Sequence, residues 1–100
     1  MKLYHGTKDI RLESIKKYGL GGVKLFGYRY LTGFPKVWLT TDLNDAKEYG
    51  RMNLGSSSTK VIVLEIDTEE IDISKLRDEG ILGIYTYSDI ITNFKVLEGV

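Results

Sequence analysis

The segment KVIVLEID (60–67) constrains this chain more than any other stretch. Val61 to Leu64 is an unbroken β-branched and aliphatic series, which predicts a strand covered on both faces rather than one open to water. The rest of the chain has to supply that cover. It is 100 residues long, with 42% hydrophobic and 28% charged residues, which suits one globular domain and not a disordered chain. We expect a single domain over residues 1–100.

The other elements follow from local pattern. Lys2 to His5 reads as a short strand with Leu3 and His5 on one face and Tyr4 on the other. DIRLESIKKYGL reads as a helix capped by Asp9, with Leu12, Ile15 and Tyr18 at i+3 spacing and Gly19 as its stop. Residues 21–35 form a long glycine- and aromatic-rich loop, with a short strand expected near Phe26 to Leu31. KVWLTTD is a strand running into a helix cap at Thr41 or Asp42, followed by the helix LNDAKEYG, whose stripe is Leu43, Ala46 and Tyr49. RMNLGSSST is a polar loop. DISKLRDEG predicts a short helix, and IYTYSDIITNFKVLE one or two strands. The class is α+β, with two or three short helices.

Charge and composition narrow the chemistry. Fourteen basic and fourteen acidic residues cancel, so no global field draws in a polyanion. The chain has no Cys and one His, which removes disulfides and thiolate chemistry and makes a metal site unexpected. No apolar run approaches the ~20 residues of a membrane span. A cytoplasmic protein without a membrane or metal partner is the expectation.

No phosphate-binding or serine-nucleophile motif survives inspection. GLGG (19–22) follows a helix instead of opening one, and there is no P-loop or serine elbow. Read singly, His5 is a hydrogen-bonded structural residue, Trp38 a core residue, Tyr49 packing, and Asp89 a turn residue.

Their order says more. LYHGT, a helix ending in YGL, VWLTTDLNDAKEYG and then an apolar strand resemble the ADP-ribosyltransferase fold of poly(ADP-ribose) polymerases and diphtheria-type toxins. The resemblance implies a small split β-sheet, and NAD as the substrate cofactor. His5 would donate a hydrogen bond to the adenosine ribose, the Gly6 backbone would hold the nicotinamide amide, and Thr7 completes that binding triplet. Trp38, where the family has tyrosine, would stack on nicotinamide, with Tyr49 as the second aromatic. Asp89 would stand for the family's glutamate, so that His5, Trp38 and Asp89 form the catalytic set. Asp89 is shorter than glutamate by one methylene, about 1.5 Å, and a displacement near that size costs on the order of a hundredfold in rate.

The chemistry has a physical logic of its own. Breaking the nicotinamide–ribose bond builds positive charge on the sugar, which a carboxylate stabilises. Aromatic rings attract the cationic nicotinamide. The implied function is transfer of ADP-ribose to a protein or nucleic-acid acceptor with release of nicotinamide. The alternatives are a catalytically silent nucleotide-binding or interaction module on the same fold, and an enzyme resembling RNA 2′-phosphotransferases. Lys24, Arg29 and Lys36 interleave with Phe26, Tyr28, Tyr30 and Phe34 and could stack nucleobases, line a protein-binding rim or pack on the core.

Overall fold

The computed structural model describes residues 1–21, 37–52 and 60–97. The 60–67 segment forms β3 (Val61–Asp67), which lies between β1 (Lys2–Lys8) and β6 (Lys95–Leu97). Ile62, Val63, Leu64 and Ile66 are all buried, so both faces of this strand are covered. With β2 (Val37–Thr40), β4 (Leu76–Asp78) and β5 (Ile84–Tyr87), these strands make one six-stranded sheet in the order β4-β5-β2-β1-β3-β6. Every pairing is antiparallel.

The pairings are unequal in length. β1 pairs with β3 over seven residues, from Lys2↔Asp67 to Lys8↔Val61. β2 pairs with β5 over four. Between β1 and β2 the single partner pair is Tyr4↔Thr40. The sheet is therefore two three-stranded halves meeting at a short seam.

Alternation along the strands sorts side chains onto two faces. Leu3, Val37, Leu39, Ile62, Leu64, Ile66 and Tyr87 gather with Ile15, Leu20 and Ile91 into the main core. Ile15 belongs to α1 (Leu12–Tyr18), so α1 covers this face. The opposite face of β1 carries Gly6, against which α2 (Leu43–Met52) is seated through Ala46 and Gly50.

Several expectations shift in detail. The first strand runs on to Lys8, because β3 offers it partners along its whole length. Asp9 does not cap α1: it opens a 3-10 turn (Asp9–Arg11), and its carboxylate accepts from the Lys60 amide at 3.2 Å. Gly19 does stop the helix, at φ +83°, and a Cβ there would meet Ile90 Cγ2 at 2.4 Å. Asp42 caps α2, accepting from the Asn44 and Asp45 amides at 2.7 and 3.2 Å. α2 continues through Gly50 instead of stopping there, since Gly50 is needed where the helix backbone crosses Thr7.

The helix expected in DISKLRDEG is a 3-10 turn (Ile73–Lys75) capped by Asp72, followed by β4. β4 and β5 then form a hairpin. The last expected segment yields two strands, β5 and β6. The strand expected near Phe26 to Leu31, the aromatic loop and the 53–59 loop lie outside the described residues.

Candidate functional site

A cleft of about 450 Å³ opens beside the seam, within the ~300–1,000 Å³ of small-molecule sites. Tyr4, His5 and Gly6 of β1 line it, together with Trp38, Leu39 and Thr40 of β2. Tyr49 of α2, Ile84 of β5 and Ile81 of the β4–β5 turn complete the lining. Residues that are far apart in sequence thus meet because β1 and β2 are neighbours and α2 lies across β1.

His5 bridges the seam. Its Nδ1 lies 2.8 Å from the Trp38 carbonyl oxygen. A carbonyl only accepts, so Nδ1 carries the proton and donates, and the neutral ring leaves Nε2 as an acceptor. Burial lowers the imidazole pKa from the usual 6.5; the Trp38 carbonyl opposes this and the nearby Arg11 charge adds to it. The ring is neutral at pH 7. In that form Nε2 accepts a hydrogen bond from a ribose hydroxyl, whereas donation to the ribose, the role expected from sequence, requires imidazolium.

Gly6 is fixed by packing. A Cβ at this position would stand 1.6 Å from the Ala46 carbonyl oxygen and 2.9 Å from the Gly50 nitrogen. Only glycine lets α2 approach so closely, and that approach brings Tyr49 to the cleft. Thr7 is buried, at 2% exposure, and is not among the lining residues.

Trp38 and Tyr49 are not core residues. They are 52% and 50% exposed and both line the cleft, so the packing roles assigned to each in isolation give way to a solvent-facing aromatic pair.

Asp89 lies elsewhere. It follows the Tyr87 end of β5, which pairs with Val37, whereas the cleft lies towards the Ile84 end, which pairs with Thr40. Its carboxylate binds the Lys75 ammonium, which holds its pKa below the ordinary carboxylate value, helped by the Ile90 amide. The structure does not bring Asp89 to the cleft.

A different carboxylate does reach that side of the sheet. Thr86 pairs with Trp38 and shares its face, and the Thr86 hydroxyl donates to Glu79 Oε1. Glu79 thus stands one strand beyond Trp38, on the same side of the sheet as the cleft but not among its lining residues. Reading 72–80 as a helix hid this residue. The signal was LRDEGILGIYTY, a pair of short strands about a glycine turn.

Among the described residues, no group of three or more His, Cys, Asp and Glu is placed to hold a metal ion, and no helix is long and apolar enough to cross a membrane. No family model, no curated protein and no solved structure matches this chain.

Proposed function

We propose that this domain binds NAD in the cleft beside the β1–β2 seam and transfers ADP-ribose to a macromolecular acceptor. The observation that carries this reading is the convergence of His5, Gly6, Trp38 and Tyr49 on one aromatic-lined cavity. The positively charged nicotinamide ring lies against Trp38 and Tyr49, drawn by their π-faces. A ribose hydroxyl donates to His5 Nε2. In the reaction the bond from the ribose C1′ to nicotinamide breaks, its electron pair leaving with nicotinamide. The acceptor's nucleophile bonds to C1′ and gives up its proton. Glu79, held by Thr86 on the cleft's side of the sheet but outside the lining residues, is the carboxylate we assign to stabilise the positive sugar.

A second reading, NAD binding without turnover, is favoured by one observation: Asp89 is paired with Lys75 away from the cleft. An RNA 2′-phosphotransferase activity ranks third, because among the described residues no arginine lines the cleft to hold a second phosphate.

The test is an NMR titration with NAD that follows the Gly6 amide and the Trp38 indole, paired with a nicotinamide-release assay. Shifts with release support the transferase, and shifts without release support the silent module. Absence of shifts at millimolar NAD defeats both. Loss of a 2′-phosphate from RNA would establish the third reading.

A further inference from the structure

The turn joining β4 to β5 presents two aliphatic side chains to water. Leu82 is 100% exposed and Ile81 64%, yet the turn is well tied. The Glu79 amide donates to the Ile84 carbonyl at 3.1 Å, the Ile84 amide to the Ile81 carbonyl at 3.0 Å, and the Gly80 amide to Asp78 Oδ1 at 2.9 Å. Gly80 and Gly83 both sit at φ +77°. Gly83 is pressed on Thr41, whose amide donates to the Gly83 carbonyl at 2.9 Å. The fold itself holds Leu82 out. An aliphatic pair fixed in solvent beside a cleft marks a contact surface, and Ile81 also lines the cleft.

The surroundings say what fits there. Asp78 and Glu79 form one arm of the turn, and Asp42 follows the Thr41 that touches Gly83. Asp45 precedes Tyr49 by four residues and so shares its face of α2. Arg77, on β4, is the cation adjoining Asp78 in the chain. Within the described segments 42–45 and 77–83 there are four carboxylates and one guanidinium, in a chain whose total charge is zero, a balance that repels a phosphate backbone and attracts ammonium and guanidinium groups.

We propose that residues 78–83, with the first turn of α2, form a docking surface for a protein segment carrying an aliphatic side chain flanked by Lys or Arg. The aliphatic chain packs on Ile81 and Leu82, and the cations face Asp78, Asp42 and Asp45. The surface stands whether or not the cleft turns over NAD. Only the identification of the docked segment as the acceptor rests on the transferase reading.

The test uses the labelled full chain and the amidated peptide Gly-Lys-Leu-Lys-Gly at millimolar concentration, with Gly-Glu-Leu-Glu-Gly and an oligothymidylate as competitors in class. The expected result is saturable movement of the Gly80, Leu82 and Gly83 amides with the lysine peptide alone. Its affinity should fall about tenfold in Leu82→Ser, as expected for losing a contact worth part of a buried leucine. Asp78→Asn should weaken it as well, with less salt dependence. The proposal is overturned by the absence of shifts, by equal shifts with the acidic peptide, or by shifts unchanged in Leu82→Ser. Movement of these amides with the oligothymidylate would make the surface a nucleic-acid site, and movement on dilution of the protein alone would make it a contact between copies. A separate NAD titration read at Gly6 keeps the two questions apart, since either result can fail without the other.

Discussion

The carbonyl oxygen of Ala46 lies 1.6 Å from the point where a side chain on Gly6 would begin. The obstacle is backbone, which cannot rotate aside, so Gly6→Ala must lift α2 from β1. We expect a loss of about 3 kcal/mol, at the upper end of overpacking costs. That lowers Tm by more than about 10 °C in a domain of this size. An unchanged thermal melt would mean that α2 is not seated on β1 as described.

Protonation of His5 should weaken the fold. Its folded pKa is lowered, chiefly by burial, so the unfolded chain binds more protons in the interval below pH 6.5. Stability therefore falls as pH drops from about 6.5 towards the lowered value, and it is unaffected above that range. His5→Asn keeps a donor near the Trp38 carbonyl without the titration and should flatten this part of the stability profile. Urea melts at several pH values decide it; an equal slope in both proteins would place the titration elsewhere.

Trp38 should matter to ligand and little to folding. It is half exposed, so Trp38→Ala is expected to leave Tm within a few degrees while weakening NAD binding about tenfold, the scale of one ring-stacking contact. Trp38→Phe should recover most of that affinity. Equal binding by wild type and Trp38→Ala, measured by calorimetry, would remove the stacking role.

The two carboxylates should separate. If nicotinamide is released, Glu79→Gln is expected to cut release at least a hundredfold with NAD affinity held within about threefold. Asp89→Ala should leave release near the wild-type rate, since its carboxylate is committed to Lys75. The reverse pattern would return the role to Asp89 and require the 88–90 segment to move.

Local pattern was enough for much of this. The covered strand 61–67, the Asp42 cap and the Gly19 stop all depend on neighbours a few residues away. What escaped depends on partners far along the chain. The extension of β1 to Lys8 needs the length of β3, and the continuation of α2 through Gly50 needs the backbone of Thr7 beneath it. Glu79 lies at the turn of one hairpin and Asp89 beyond its open end, and no pattern in SDIIT or RDEG tells which end of β5 lies by the cleft. Trp38 and Tyr49 were misjudged singly for a related reason: exposure follows from what fails to cover a residue, which sequence periodicity does not register.

The single residue pair joining β1 to β2 bears on how the molecule breathes. Seven pairs hold β1 to β3 and four hold β2 to β5, but Tyr4↔Thr40 alone carries the ladder across the centre. Opening there breaks few backbone bonds, so the hold between the halves falls to side chains: the core of Leu3, Leu64, Val37 and Leu39, and the His5–Trp38 bond. Hydrogen exchange should then resolve two cooperative units, with the slowest amides in β1 and β3 and a faster set in β2, β4 and β5. A ligand spanning His5 and Trp38 would merge them into one.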